Sequence, residues 1–457
     1  MSLPRILITA PASGSGKTLL TCGILQALKN RGLEVASFKC GPDYIDPMFH
    51  SRVIGTPSKN LDPYFTDRDV MRYLFERSAK DADISVIEGV MGFYDGLGAA
   101  TTEGSTYDVS QRLDSPVILV VNCRGASLSA VPIIKGFKEF RGNNIKAVIL
   151  NNMSEKVYMA VSEIIEKETG VKPIGYVPKV SDLVLESRHL GLCLPDEIDD
   201  LKSKLNRLAD VLESTIDMDY LIKLSKDVSD LRFDAPSVKK TDRRVRIALA
   251  DDEAFCFTYE DNIRLLEECG AEIVRFSPIG DAHLPDDVDG LILSGGYPEL
   301  HCKALSENRT MLDDIRSKVS GGLPCIAECG GFMYLHDTIE DDGGTPYGMV
   351  GLIHASVSNR HRLNRFGYIS ITSKDGSSIP GDMCVKGHEF HYWDSDDCGD
   401  DCVAVKPSNG KSYGCMHCHD NLVAGFPHLY YYSNPDFAYR FIGRCEIRSS
   451  ASRRDDS

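Results

Sequence analysis

Short apolar runs rich in Val and Ile alternate along the chain with longer stretches in which apolar residues return at helical spacing. In the first third the runs fall at 5–9 (RILIT), 35–39, 84–88, 117–121 and 147–150. Such runs fit strands buried on both faces, and their alternation with helical patterns predicts a mostly parallel sheet covered by helices. From 197 to about 228 apolar positions recur at helical spacing among many charges, which predicts connecting helices. The segment 237–244 (SVKKTDRR) is polar and basic and carries no apolar periodicity, so the domain boundary is expected there. A second αβ series starts at Val245, with strands expected at 246–250, 272–276, 290–293 and 324–328 and a Gly-rich, β-like region after them. The pattern divides the chain into an N-terminal domain (1–192), a helical connection and linker (193–243), a second domain (244–445) and a disordered tail (446–457).

Directly after the first strand stands Ala10-Pro11-Ala12-Ser13-Gly14-Ser15-Gly16-Lys17-Thr18, followed by the helical LLTCGILQALKNRG. This order of strand, glycine loop and helix is that of a phosphate-binding loop. Backbone N–H groups of Ser13, Gly14, Ser15 and Gly16 can curl around phosphates at a helix N-terminus. Lys17 adds positive charge, and the Thr18 hydroxyl is placed to ligate Mg²⁺. Pro11 replaces the first glycine of the common pattern, while the GxGKT core is intact. A Mg²⁺-nucleotide site also needs a carboxylate near the ends of neighbouring strands. Glu88, which ends the run 84–88 and opens EGVMGFYDG, is the leading candidate. Asp43 and Asp46 follow the second strand in KCGPDYIDP, where Asp-Pro turn chemistry is an equally simple reading.

Pro324-Cys325-Ile326-Ala327-Glu328-Cys329-Gly330-Gly331-Phe332 reads as a strand entering glycines and then a helix, a nucleophile elbow with Cys in place of Ser. At such a turn the helix N-terminus favours the thiolate, and the Gly330 N–H can face an oxyanion. A second donor is expected from the Ser294-Gly295-Gly296-Tyr297 loop. Cys325, inside the strand, reads as an inert packed thiol. The base is sought among twelve histidines: His428, after an apolar segment near the C-terminus, competes with His388 and His391, which on pattern alone are equally metal ligands or strand residues. Cys398, Cys402, Cys415 and Cys418, with His417 and His419 close by, form C-x3-C and C-x2-C pairs, which read first as reduced surface cysteines, with structural Zn²⁺ as a side reading.

A length of 457 residues implies two or three domains, and 42% hydrophobic with 26% charged residues is the composition of a globular protein. A net charge of −16 is the wrong sign for neutralising phosphate backbones, so nucleic acid is not an expected partner. No apolar run approaches the roughly 18 residues of a membrane span. MSLPRILITA enters a strand without a charged, cleavable leader, so a soluble, cytoplasmic protein is expected. Most of the fifteen cysteines, scattered over this length, read as reduced thiols.

APASGSGKT, KCGPDYIDP, EGVMGFYDG, SRHLGL at 187–192, LSGGYPEL, AECGGFMYL and GHEFHY together resemble the cobyrinate a,c-diamide synthase family, glutamine-dependent amidases of corrin side chains. The resemblance spans nearly the whole chain. It implies an α/β protein of two domains: an N-terminal P-loop NTPase-like, dethiobiotin-synthetase-like domain with a mostly parallel sheet, and a C-terminal class I glutaminase-like α/β domain. It implies Cys329 as nucleophile, His428 as the activating histidine, and Gly330, Gly295 and Gly296 at the oxyanion. It further implies ATP as co-substrate with Mg²⁺ at Thr18 and Glu88, and Asp43, Tyr44 and Asp46 beside the tetrapyrrole carboxylate. Small molecules are then the partners, without membrane or nucleic acid and with room for a homodimer. In related glutaminases a carboxylate lies two residues beyond the histidine; here that position is Tyr430, and Pro427 precedes His428. Relatives in methane-forming archaea amidate nickel sirohydrochlorin, the nearest alternative. A P-loop switch ATPase with an inactive glutaminase domain is an alternative of another class, as is a binding protein with a decayed glutaminase.

Overall fold

The computed structural model describes residues 3–180, 195–375 and 382–455. The motif at 187–192 lies outside the described residues. By contacts the chain divides into two compact units, Met1–Pro236 and Ser237–Ser457.

The first unit is built on seven parallel strands: β1 (Arg5–Thr9), β2 (Val35–Cys40), β3 (Ser58–Leu61), β4 (Ile84–Glu88), β5 (Val117–Asn122), β6 (Ile145–Asn151) and β7 (Lys172–Val177), in the order β3-β2-β4-β1-β5-β6-β7. Side chains alternate between the faces of a strand. Ile6 and Ile8 of β1 enter one core with Leu20 and Ile24, while Leu7 enters the other with Phe38 and Phe75. That is why β1 is apolar throughout. The outer strands β3 and β7 were not among the expected ones. SKNL has no apolar run, and KPIGYV carries Pro173 and Gly175, which an edge strand tolerates.

The helices Pro195–Thr215 and Met218–Lys226 are not a free connection, as the pattern had suggested, but part of the first unit. Leu205, Leu208, Leu212 and Leu221 complete the core beneath the helix Lys17–Asn30. A Cβ on Gly23 of that helix would lie 2.7 Å from Leu212 and 2.8 Å from Leu208, so the glycine permits the close approach. The helical spacing was visible in the sequence, but the surface it covers was not.

In the second unit β8 (Val245–Ala250), β9 (Ala271–Phe276), β10 (Gly290–Leu293) and β11 (Cys325–Glu328) form a parallel sheet in the order β9-β8-β10-β11, extended by Leu422–Gly425 and then by antiparallel His417–His419. The Gly-rich stretch after Glu328 folds into two further sheets. One of them pairs Cys384–His391 with Arg365–Ser373 on one side and with the two-residue strand His428–Leu429 on the other. The C-terminal segment differs from the expected tail: a helix runs from Asp436 to Asp455, anchored by Phe437, Phe441, Ile442 and Cys445. EIRSSASRR contains neither Gly nor Pro to stop it. No helix among the described residues is long and apolar enough to cross a membrane.

Candidate active sites

In an open parallel sheet ligands collect beyond the C-terminal strand ends, where the strand order reverses. β1 ends there in the loop Ala10–Gly16, whose Ala12, Ser13 and Gly14 are exposed. Gly14 and Gly16 have φ of 73° and 92°, in the left-handed region that glycine enters without strain. A Cβ on Gly16 would collide with Asn151 Nδ2 at 2.4 Å, and that amide donates to the Ser15 carbonyl (2.9 Å). Lys17 opens the following helix and is buried. Its ammonium donates to the Met91 carbonyl at 2.6 Å, and burial followed by repulsion from Lys39 lowers its pKa.

Thr18 Oγ1 donates to Glu88 Oε1 at 2.6 Å, joining the helix start to the end of β4. Glu88 is fully buried, and the same oxygen accepts from Lys39 Nζ at 2.7 Å. Lys39 also pairs with Asp46, so one ammonium bridges two carboxylates. Burial alone would pull Lys39 down, but Glu88, Asp46 and Asp43 together hold it protonated. Burial pushes the Glu88 carboxyl up against the opposing pull of Lys39. Glu88 Oε2 accepts no hydrogen bond, and His50 Nε2 stands 3.6 Å away, its imidazole driven down to about 4 by burial. A hydroxyl and a carboxylate with an unused oxygen are hard donors that fit Mg²⁺. Asp43 accepts from the backbone N–H groups of Ile45 and Asp46 (2.8 and 3.1 Å), while Asp46-Pro47 lies inside the helix Ile45–Phe49 and forms no Asp-Pro turn, and Tyr44 is buried beside it.

In the second unit Cys329 sits between β11 and the helix Gly330–Tyr334 with φ 48° and ψ −103°, a strained conformation for a residue with a Cβ. The neighbouring glycines make the turn possible. A Cβ on Gly331 would strike the Leu293 carbonyl at 2.1 Å, and one on Gly330 would lie 3.0 Å from the Gly296 nitrogen. The Gly295–Gly296 loop is therefore packed against the residue that follows the nucleophile. Cys329 is buried; desolvation and then the charge of Glu299 raise its pKa, and the Gly330 N–H works the other way.

The Cys329 N–H donates to the Gly425 carbonyl (2.8 Å), which ties the elbow to the strand leading to His428. His428 packs on the Gly295–Gly296 loop: a Cβ on Gly295 would meet its Cε1 at 2.3 Å. His388, a sequence competitor for the same role, is its strand partner, with the rings stacked at 5.0 Å and 16°. The Tyr259 hydroxyl lies 3.3 Å from His388 Nδ1. Burial, then His388 and His391, keep His428 well below the ordinary histidine range. Tyr430, in the place of the missing carboxylate, donates to Asp261 (3.2 Å). Glu328, next to the nucleophile, receives the Leu429 N–H and the Tyr431 hydroxyl (3.4 Å), and burial pushes it up to about 8.

His391 lies flat on Phe426 at 3.9 Å and bonds the Trp393 carbonyl, as a strand residue. The four-cysteine set is not assembled. Cys402 and Cys418 meet at 3.3 Å and Cys402 opposes Cys415 across a ladder, but Cys398 turns to Asp394, and no group of three His, Cys, Asp or Glu among the described residues is arranged to hold a metal ion. Two strands that pair edge to edge bring thiols together without the tetrahedral convergence zinc needs. All described cysteines are free thiols, and Cys325 is fully buried in its strand. Sequence reasoning passed over Lys39, Glu299 and Glu328, and it left open the place of His388; only the fold brings them to the sites.

Residues 6–192 match the CobQ/CobB/MinD/ParA nucleotide binding domain, and residues 246–436 match the CobB/CobQ-like glutamine amidotransferase domain. The two on one chain define a ligase with a glutamine amidotransferase domain. The chain is 40% identical to cobyrinate a,c-diamide synthase of Priestia megaterium over the whole of both proteins. It is also 40% identical to those of Picrophilus torridus, over 97% of this chain and 99% of that one, and Clostridium acetobutylicum, over 96% and 99%. The chain belongs to the cobyrinate a,c-diamide synthase family.

Proposed function

We propose that this chain uses ATP and glutamine to amidate the a and c acetate carboxylates of cobyrinate in cobalamin biosynthesis, acting in the cytoplasm. The observation that carries the reading is 40% identity over the full length of a cobyrinate a,c-diamide synthase. The Cys329 elbow and the Lys17 loop give each half its own chemistry.

Cys329 attacks the side-chain amide carbon of glutamine. His428 takes the thiol proton and returns it to the departing ammonia, and the N–H groups of Gly330 and of the Gly295–Gly296 loop stabilise the oxyanion. Water then clears the thioester and leaves glutamate. In the first unit the loop Ser13, Gly14, Ser15, Gly16 and Lys17 cradles the triphosphate. Thr18 and Glu88 would hold Mg²⁺, which when bound offsets charge on the phosphate oxygens. Lys39 remains cationic between Glu88 and Asp46, and Asp43, Tyr44 and Asp46 line the place of the substrate carboxylate. Transfer of the γ-phosphoryl group to that carboxylate makes an acyl phosphate, and ammonia displaces phosphate to leave the amide.

The test is amidation by purified protein with ATP, glutamine and either cobyrinate or nickel sirohydrochlorin. Diamide from cobyrinate is expected; diamide from the nickel compound alone would contradict the substrate. With ¹⁸O in the substrate carboxylates, one ¹⁸O is expected in phosphate for each amide formed, and its absence would reject the acyl phosphate.

A further inference from the structure

One side chain near the nucleophile is at odds with the ordinary energetics of burial. Glu299 lies in the turn Pro298–Leu300, directly after the Gly295–Gly296 loop, and is 8% exposed. Its carboxylate interacts with its own backbone N–H, and among the described residues no Lys, Arg or His pairs with it. The charge that bears on it is another acid, Asp342. A carboxylate withdrawn from water without a cation costs several kcal/mol. Structural packing gives no return for that cost here, since a neutral side chain would fill the same space.

Its location suggests what supplies the missing charge. A Cβ on Gly330 would meet Pro298 Cδ at 2.8 Å, so the turn bearing Glu299 is pressed against the residue that follows Cys329. Of the charges around Cys329, that of Glu299 weighs most on its thiol. Glu328 and Glu389 are the other acids in reach, and both are engaged: Glu328 with Tyr431 and Leu429, Glu389 with Tyr413 and Arg365. A substrate with its carboxamide oxygen at Gly330 and Gly296 carries, a few bonds away, an α-ammonium group that needs an anion.

We propose that Glu299 binds the α-ammonium group of glutamine and so selects the free amino acid over amides that lack this charge. The assignment rests on the glutaminase reading of Cys329 given above. It makes Glu299 a binding residue, on the same loop as the oxyanion donors, so that recognition of the amino-acid end and of the carbonyl end share one backbone segment.

The test compares hydrolysis of L-glutamine with that of its des-amino analogue, 4-carbamoylbutanoate, by the full chain in the presence of ATP and cobyrinate. A charge-assisted contact in a buried site predicts a wild-type preference for glutamine of about 100-fold in kcat/KM. Glu299→Gln is expected to raise KM for glutamine about tenfold or more, with kcat within about threefold, and to erase most of the preference. Its thermal midpoint is expected to match or exceed that of the wild type, because a buried carboxyl without a cation is replaced by a neutral side chain of the same shape. Unchanged KM and unchanged preference in Glu299→Gln would overturn the proposal. So would a wild type that treats both amides alike, a result that needs no variant. A wild type that amidates with ammonium yet hydrolyses neither amide would instead remove the glutaminase reading, and this assignment with it.

Discussion

In the first unit burial of charge is answered by pairing, in the second by neutrality. Lys39 bridges Glu88 and Asp46, and Thr18 caps the same Glu88 oxygen, so a dense set of buried ions is held by mutual pairing. Around Cys329, among the described residues, no Lys or Arg pairs with Glu299 or Glu328. Burial pushes Glu299 and Glu328 up to about 8, drives His388 down to about 3 and His391 to about 4, and raises the thiol. A buried group without an opposite charge titrates until it is neutral. The contrast follows the ligands each site is read to handle. A triphosphate and a carboxylate are anions and need fixed cations, whereas glutamine brings a neutral carboxamide to Cys329 and its own α-ammonium charge to the otherwise unpaired Glu299.

The comparison is broken most severely by removing the loop lysine of the first site. Lys17→Ala is expected to lower ATP-dependent amidation by about 1,000-fold or more while glutamine hydrolysis persists in part, measured as amide and glutamate formed in one reaction. Equal amidation would remove the phosphate loop from the mechanism. Lys39→Met breaks the pairing itself and leaves two buried carboxylates facing each other. A loss of about 3 kcal/mol in urea unfolding of the first unit is expected, and an unchanged midpoint would show that the bridge contributes nothing.

A smaller effect tests the stacked histidines. His388→Ala is expected to reduce kcat for glutamine hydrolysis about tenfold with KM within about twofold, and His388→Phe, which keeps a flat ring against His428, to recover part of it. A change in KM alone would mean that His388 only shapes the pocket. The smallest effect is on pH dependence. Glu328 has a folded pKa of about 8 against 4.5 for the free group. Its stabilising contribution is therefore complete below 4.5 and declines as pH rises to 8. His388 and His391, depressed from 6.5, act with the opposite sign below 6.5 and drop out above it. Between pH 6.5 and 8 the unfolding free energy of the second unit is expected to fall, by up to about 1.4 kcal/mol per pH unit for each such carboxyl. Glu328→Gln is expected to flatten that slope, and an identical slope would refute the shift.

The phosphate loop and the cysteine elbow were legible because each is a local device: strand, glycines and helix in sequence order. Pro11 did not obscure the first, nor Cys for Ser the second. What was not legible depends on separation in sequence. Lys39 stood in view as the first residue of KCGPDYIDP, but only the β2–β4 register, with Lys39 opposite Glu88, makes it a bridge. His388 and His428 are forty residues apart and meet as ladder partners, so sequence spacing had presented them as rivals. Glu299 was read as part of a glycine-loop motif, since burial without a partner is a property of the fold. Zinc was the reverse case: the spacing admitted it as a side reading, yet Cys398 turns to Asp394 and away from the others. The helices at Pro195–Thr215 and Met218–Lys226 showed their period but not the core they complete.

The central claim is that nitrogen freed at Cys329 reaches a carboxylate activated at the Lys17 site. It is tested most directly by mass spectrometry of the product made from cobyrinate and ATP with [amide-¹⁵N]glutamine, by wild type and Cys329→Ala. Two ¹⁵N atoms per diamide are expected from the wild type, and none from Cys329→Ala unless ¹⁵N-ammonium replaces glutamine, when labelled diamide returns. Labelled diamide from glutamine in Cys329→Ala, or none from ammonium in that folded variant, would contradict it.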